Sequence, residues 1–262
     1  MNGSMIKEYK DFEISLDSVT PLYKEDSHEI YWLGIDNATA FRCNVYLIKD
    51  NDEYILVDPG SRSFYKQVRE RVSQITDPKN ITALVLCHQD PDVSASMIDW
   101  LNASPELTII SSARTNVLLP HYGCEDYKFY DIVEEPVYKF KSGRELKFIE
   151  APFLHFPGAF TTYDLNSSFL FSGDIWAALD IEWKLLVEDM HEHTMNMDLF
   201  HVDYMASNIA ARGFVRRLEG IDIQAILPQH GSIIPQEYVK DALEYLEKLQ
   251  CGLDLIYSDL KN

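Results

Sequence analysis

Short apolar runs recur along the chain, each stopped by glycine, proline or a polar cluster, and this punctuation reads as strands. Glu29–Trp32, Phe41–Ile48 and Glu53–Val57 read as consecutive strands, with Asn51-Asp52 as a polar hairpin turn. Asp58-Pro59-Gly60 is a turn, and Ser61 or Ser63 can cap a helix running to about Gln74. Ile81–Cys87 (ITALVLC) follows as a buried strand, Ser94–Leu101 as a helix, Leu107–Ile110 as a strand and Ala113–Leu119 as a short helix. Leu146–Glu150, Ser168–Ser172 and Ile223–Leu227 are further strands, and Asp203–Leu218 is a longer helix. Gln236–Leu260 reads as one or two amphipathic helices, with Leu243, Leu246, Leu249, Leu253 and Ile256 on one stripe. With no internal repeat and no low-complexity linker visible, residues 1–262 read as one domain carrying a C-terminal helical extension at about 236–260.

The residues just past these runs carry the chemistry. His88 ends the Ile81–Cys87 strand, and Asp90 and Asp92 follow it. The loop after Leu146–Glu150 delivers His155, Ser168–Ser172 leads to Gly173-Asp174, and Ile223–Leu227 leads to Pro228-Gln229-His230. Loops at strand ends can bring ligand atoms together while the strands hold them rigidly. A single histidine of this kind is usually a satisfied core residue; six potential ligands in the same relation to strands are a metal-site pattern. Three imidazoles and three carboxylates with no thiolate form an oxygen-rich set that suits iron or manganese at least as well as zinc. Six ligands exceed the needs of one tetrahedral zinc. They serve two ions if one carboxylate bridges: two ferrous ions bring four positive charges and the three aspartates return three.

The ordered boxes resemble the metallo-β-lactamase superfamily and, within it, the flavodiiron proteins. Metallohydrolases of the superfamily carry H-x-H-x-D-H, whereas flavodiiron proteins carry H-x-E-x-D-H. This chain reads His88-Gln89-Asp90-Pro91-Asp92-Val93, with a carboxylate at the third position, as in the diiron branch. His155-Phe156-Pro157-Gly158, Ser172-Gly173-Asp174 and Gln229-His230-Gly231 match the later ligand boxes. Tyr31-Trp32-Leu33-Gly34 and Cys43-Asn44-Val45-Tyr46-Leu47-Ile48 resemble the family's opening strands, and Tyr204-Met205-Ala206-Ser207-Asn208-Ile209 its helix before the last ligand strand. The resemblance spans roughly residues 28–240. It implies an α/β fold, the metallo-β-lactamase-like αβ/βα sandwich of four layers. It also implies one iron on His88, Asp90 and His155, another on Asp92 and His230, and Asp174 as the bridge.

Two departures matter. Asp90 is one methylene shorter than the family's glutamate. Val93 stands where the family has a further histidine, so the second iron lacks a nitrogen unless water or another side chain replaces it. An open position there is where a small ligand such as O2 could bind. Flavodiiron proteins also append a flavodoxin-like domain whose FMN feeds the irons. This chain ends about thirty residues after His230 and shows no phosphate-cradling glycine-rich loop, so no built-in FMN is expected. The resemblance therefore implies a non-haem diiron protein that binds, and could reduce, dioxygen or nitric oxide. An oxygen sensor with an external electron donor or signalling partner is favoured over a self-sufficient reductase. A metal-dependent hydrolase, such as a cyclic dinucleotide phosphodiesterase using the same pair of metals (manganese or zinc as substitutes), is the rival reading.

Composition narrows the partners. The formal charge is −19, which argues against nucleic acid, a ligand that needs basic stripes to displace counterions. No apolar run is long enough to span a membrane, and the N-terminal MNGSMIKEYKDF has no apolar signal region. Cys43, Cys87, Cys124 and Cys251 show no framework spacing, and Cys43 and Cys87 read as small buried hydrophobes. A cytoplasmic chain follows as the expectation, with a homodimer allowed by the family. His28 sits in a polar stretch and reads as exposed, and His121 reads as a helix end. The pair His191 and His193, with His201, could look like a metal site, but without a scaffold strand the segment Val187–His201 reads rather as a surface loop or a lid over the metals. Trp176 reads as a wall of the metal pocket, and Tyr163 and Tyr204 as packing residues or hydrogen-bond donors beside it.

Overall fold

The computed structural model describes residues 3–13, 15, 19–35 and 41–260. The first sheet contains β1 (Thr20–Glu25), β2 (His28–Ile35), β3 (Asn44–Asp50), β4 (Glu53–Val57), β5 (Ala83–Val85), β6 (Thr108–Ser111) and β7 (Lys128–Asp131) in chain order. Its first four strands are antiparallel and its last four parallel. The second sheet contains β8 (Val137–Lys139), β9 (Glu145–Glu150), β10 (Phe160–Asp164), β11 (Phe169–Gly173), β12 (Ala225–Pro228) and β13 (Ile234–Pro235), again in chain order across the sheet. Only β11 and β12 pair in parallel there. The crossover between them holds α5 (Met190–Tyr204) and α6 (Asn208–Arg217).

Residue alternation assigns each face. In β2 and β3, Trp32, Tyr46 and Ile48 point between the sheets, where they meet Phe169 and Phe171 of β11 and Leu227 of β12. Their neighbours Leu33, Val45 and Leu47 point outward to α1 (Tyr65–Val72) and to α3 (Met97–Ala103), which follows the one-turn α2 (Pro91–Ser94). The one-turn α4 (Ala113–Asn116) begins after β6. On the second sheet Leu170 and Ile226 point outward, under Met197 and Phe200 of α5, Phe214 of α6 and Leu246 of α7 (Gln236–Lys248). This period-two alternation on both sheets produces the expected four layers: helices, sheet, sheet, helices. Among the described residues no helix is long and apolar enough to cross a membrane.

Several boundaries differ from those read in the sequence. Neither Ser61 nor Ser63 caps α1, whose N-cap is Phe64 without a side-chain cap bond. The helix expected over Ser94–Leu101 is two short pieces, and the strand within Ile81–Cys87 is only Ala83–Val85. The helix expected over Asp203–Leu218 breaks at Met205–Ser207. Met205 turns extended, and the Ser207 hydroxyl accepts from the Ala210 amide to start α6. The segment Val187–His201 is mostly helix, because Asp189 caps α5 through the amides of His191 and Glu192. The C-terminal stripe divides: Leu246 and Leu249 are buried in the outer layer, whereas Leu253 and Ile256, on the one-turn α8 (Leu253–Ile256), are exposed. Far from being an appendage, α7 supplies part of the cover of the second sheet.

His28 is not exposed. It is fully buried, with Nδ1 3.0 Å from Asp50 Oδ2 and Nε2 3.0 Å from Asp164 Oδ2. Asp50 belongs to β3 and Asp164 to β10, so one ring ties the two sheets together. Burial opposes the charged ring, but the two carboxylates outweigh it and raise its pKa. Sequence alone gave no sign of this, because the partners lie 22 and 136 residues away. Replacing His28 with leucine leaves the buried Asp164 without its cation and Asp50 with Arg144 alone, and should cost about 3–5 kcal/mol. Because the folded pKa is raised, this stabilisation is complete below the unfolded value of about 6.5 and is lost as pH rises through the folded value. Urea unfolding of wild type and His28→Leu should therefore show a gap that narrows as pH rises above about 6.5. A constant gap would mean the ring is neutral.

Candidate metal centre

All six sequence-predicted ligands lie just past the C-terminal ends of strands, at one edge of the sandwich. His88 follows β5, Asp90 is the N-cap of α2, and Asp92 lies in its first turn. His155 lies in the loop between β9 and β10, Asp174 follows β11, and His230 follows β12. Parallel neighbours β11 and β12 thus deliver Asp174 and His230 side by side. Gly173 is required where the strand turns: it has a φ of +57° and a Cβ there would meet Cys87 Sγ at 2.7 Å. Gly231 has a φ of +99° and lets the chain pass Ala178, whose backbone nitrogen a Cβ would meet at 3.0 Å.

The ligand atoms form two groups that share Asp174. In the first, Asp90 Oδ2 lies 3.5 Å from His88 Nε2 and 3.4 Å from His155 Nε2. Asp174 Oδ2 closes this group at 3.2 Å from His88 Nε2 and 3.0 Å from His155 Nε2. In the second, His230 Nε2 lies 3.3 Å from Asp92 Oδ2 and 3.4 Å from Asp174 Oδ1, the other oxygen of the same carboxylate. Tetrahedral ligands at metal bonds of about 2.0–2.2 Å stand about 3.3–3.6 Å apart, so both groups have the spacing of a metal's ligands. His88 Nε2 and Asp174 Oδ1 are buried and make no directed hydrogen bond, although both aim into the cluster. Two metal ions would satisfy them.

Outer contacts orient the ligands. The His230 Nδ1–H donates to the Arg42 carbonyl at 3.3 Å, and Gln229 Nε2 donates to the Asp92 carbonyl at 3.0 Å. Ser94 Oγ donates to the His88 carbonyl at 2.6 Å, and Gln89 Nε2 donates to Asp90 Oδ1 at 2.7 Å. Asp58 is a buried acid that the sequence reading treated only as part of a turn. Its Oδ1 accepts from the Cys87 amide at 3.0 Å, which fixes the backbone entering His88, and burial pushes its pKa up to about 6. An aromatic roof covers the site. The rings of Phe200 and Tyr204 stack 4.6 Å apart and approach His155 edge-on at 5.8 and 5.9 Å, while Phe41 meets His230 at 5.5 Å.

Other candidates fall elsewhere. His193 and His201 are buried on α5 and, among the described residues, belong to no group that could hold a metal; burial lowers both to about 4. His201 Nε2 accepts from the Trp176 amide at 2.9 Å, a structural role. Trp176 does not wall the pocket: its indole donates to the Ala242 carbonyl of α7 at 2.8 Å and packs on Phe214. The Tyr163 hydroxyl donates to the Asp222 carbonyl at 2.7 Å, remote from the ligands. His121 lies exposed on a short 3₁₀ turn, Leu119–Tyr122.

Burial disfavours charge on His88 and His230, but Asp174 above all at His88, and Cys43 with Asp174 and Asp92 at His230, raise both well above the ordinary value. Burial likewise opposes charge on His155, yet Asp174 and Asp90 raise it to about 9. His155 and His88 in turn hold Asp90 low, and Asp174 is held low despite its burial by His88, His155 and His230.

The family model described as "ODP family beta lactamase" matches residues 41–231. The structure of the peroxy diiron species of the chemotaxis sensor ODP is 33% identical, with a TM-score of 0.82 over 92% of this chain and 100% of that one. A mutant flavodiiron protein from Thermotoga maritima is 24% identical, with a TM-score of 0.75 over 87% of this chain and 61% of that one, a likeness of fold. A nitric oxide reductase from Moorella thermoacetica is 31% identical over 78% of this chain and 55% of its own length. The chain spans between 24% and 58% of the curated relatives it matches.

Metal ions must displace the imidazolium protons. Zinc titrated into the metal-free protein at about pH 7 should release protons, and its apparent affinity should climb as pH rises through about 9, where His155 loses its proton. Calorimetry in buffers of different ionisation enthalpy reads the release directly. Binding without net proton release would mean that the three imidazoles are neutral in the free protein.

Proposed function

Since this chain belongs to the ODP family of beta lactamases, we propose that it is a non-haem diiron protein that binds dioxygen and reports it as a sensor. The observation that carries this reading is the division of Asp174, one oxygen toward His88 and His155 and the other toward His230. His88, Asp90 and His155 would hold one iron, Asp92 and His230 the other, and Asp174 both. An iron pair held there would supply the electrons that a diatomic ligand takes up, chemistry that belongs to the metals. The protein's part is to hold the pair at fixed separation and to restrict what reaches it. Phe41, Phe200 and Tyr204 present apolar ring faces and edges above the ligands, an entry suited to a small uncharged molecule such as O2 or NO. The likeness to the chemotaxis sensor over that chain's whole length favours sensing, with an external signalling partner or electron donor completing the system.

A sensor needs an element whose equilibrium the ligand shifts. Helix α5 is placed for that role. Phe200 and Tyr204 roof the site, and His201 of the same helix holds the Trp176 amide two residues past Asp174.

Iron-loaded protein purified without oxygen should carry about two irons per chain, one for each group of donors. A new, stable ultraviolet-visible band should appear on exposure to O2. Asp174→Asn should hold roughly half the iron or less and lose the band. A protein that takes up mainly zinc or manganese and shows no spectral response would overturn this reading in favour of hydrolysis. Amide hydrogen exchange in α5 should differ between the ferrous and O2-exposed states, and identical exchange throughout α5 would remove it as the responding element.

A further inference from the structure

The second group of donors has a member that the sequence reading took for a packing residue. Cys43 is 1% exposed, and its Sγ lies 3.7 Å from Asp92 Oδ2. The ligand atoms of Cys43, Asp92 and His230 all lie within 4.8 Å of one another. The placement is built into the backbone. Cys43 pairs with His230 in an isolated antiparallel bridge, so the two side chains emerge as cross-strand neighbours. The Asn44 amide donates to the Gln229 carbonyl at 2.6 Å, and the Asn44 side-chain amide donates to the carbonyls of Pro228 and Gly231 at 2.9 and 2.8 Å. This clamp holds the thiol against the ligand loop. The unpartnered, buried Asp174 Oδ1 points into the same space from the other side, 3.4 Å from His230 Nε2.

Among the described residues, the second group without Cys43 has only Asp92, His230 and the shared Asp174, because Val93 cannot ligate. We infer that Cys43 is the fourth protein donor of the second metal position, ligating as a thiolate the ion held by Asp92, His230 and Asp174. The inference rests on the two-metal reading above. On binding, the S–H bond breaks, a sulfur–metal bond forms and the proton leaves to solvent; no electrons are transferred. Each position then has four protein donors. Three carboxylates and one thiolate balance the four positive charges of two divalent ions. A sulfur–oxygen separation of 3.7 Å is close to the roughly 3.6 Å of tetrahedral ligands at about 2.3 Å for sulfur and about 2.1 Å for oxygen. The thiolate also makes the two positions chemically unlike, since a soft donor favours zinc or ferrous iron over manganese. Cys87 differs: its Sγ lies 3.1 Å from His88 Nδ1, the ring nitrogen facing away from the ligand group.

Zinc alone is the probe. The whole chain, loaded with two zinc ions, should show a sulfur shell at about 2.3 Å in X-ray absorption, one sulfur shared over two metals. Two zinc ions with only nitrogen and oxygen neighbours would overturn the assignment while leaving the metal centre intact. Failure to bind two zinc ions would overturn the two-metal reading itself. Cys43→Ala should lose the sulfur shell and bind its second zinc at least about 10-fold more weakly, the loss that even an outer partner of a ligand produces. Cys87→Ala should keep the shell; a shell that survives in Cys43→Ala and vanishes in Cys87→Ala would assign the sulfur to the wrong cysteine. The wild-type spectrum decides the point even if a variant fails to fold.

Discussion

Asp174 is the residue on which the arrangement depends. It is buried, both of its oxygens face histidines from different strands, and one of them has no directed hydrogen bond. A carboxylate in that position is costly unless cations surround it. In the metal-free protein the cations are protons on three imidazoles. With two metal ions they are replaced by charges that do not leave as pH rises. Protons and metals therefore compete for the same cluster. Asp90 and Asp92 add charge at the rim, where each is about one-third exposed, so the shared carboxylate dominates the buried electrostatics.

The two sheets make this possible by being fastened at both ends. At the metal end, Asn44 and the Tyr46 hydroxyl of β3 hydrogen-bond the carbonyls around His230, Tyr46 to Pro228 at 2.8 Å. Trp32 of β2 donates to Asn44 Oδ1 at 2.8 Å and holds that amide in orientation. At the other end, His28 bridges Asp50 and Asp164. Between these polar fastenings lies a dry layer of Trp32, Tyr46, Phe169, Phe171 and Leu227. Ligands from different sheets keep their separation because the strands bearing them cannot slide.

The convergence of the six candidate ligands was legible in the sequence because each is tied to a local signal, a short apolar run followed by a turn and a reactive side chain. The four layers followed from the same runs, since period-two alternation in β2, β3, β11 and β12 decides which residues face helices and which face the other sheet. What escaped depends on contacts between distant segments. His28 looked exposed because its immediate neighbours are polar, yet its partners come from other strands. Cys43 looked like an ordinary strand residue because its meaning comes from pairing with His230. Trp176 follows Asp174 closely in sequence but turns toward α7. The break after Tyr204 could have been read from Ser207, an N-cap residue inside an apparently continuous apolar pattern.

Helix α5 shows why such long-range information matters for function. Its local sequence is acidic and rich in histidine and methionine, with little periodicity to mark a buried face. The structure nonetheless buries Met197, Phe200 and His201, leaving Met195 and Leu199 exposed. The helix holds the metal edge through ring contacts from Phe200 and Tyr204 to His155, a tilted ring contact from Phe200 to His230, and the hydrogen bond from the Trp176 amide to His201. A change in geometry at Asp174 reaches the helix through the Trp176 amide, and a change at His155 or His230 reaches it through the rings of Phe200 and Tyr204. Under the proposed sensing role, α5 would therefore answer to both candidate metal positions rather than to one.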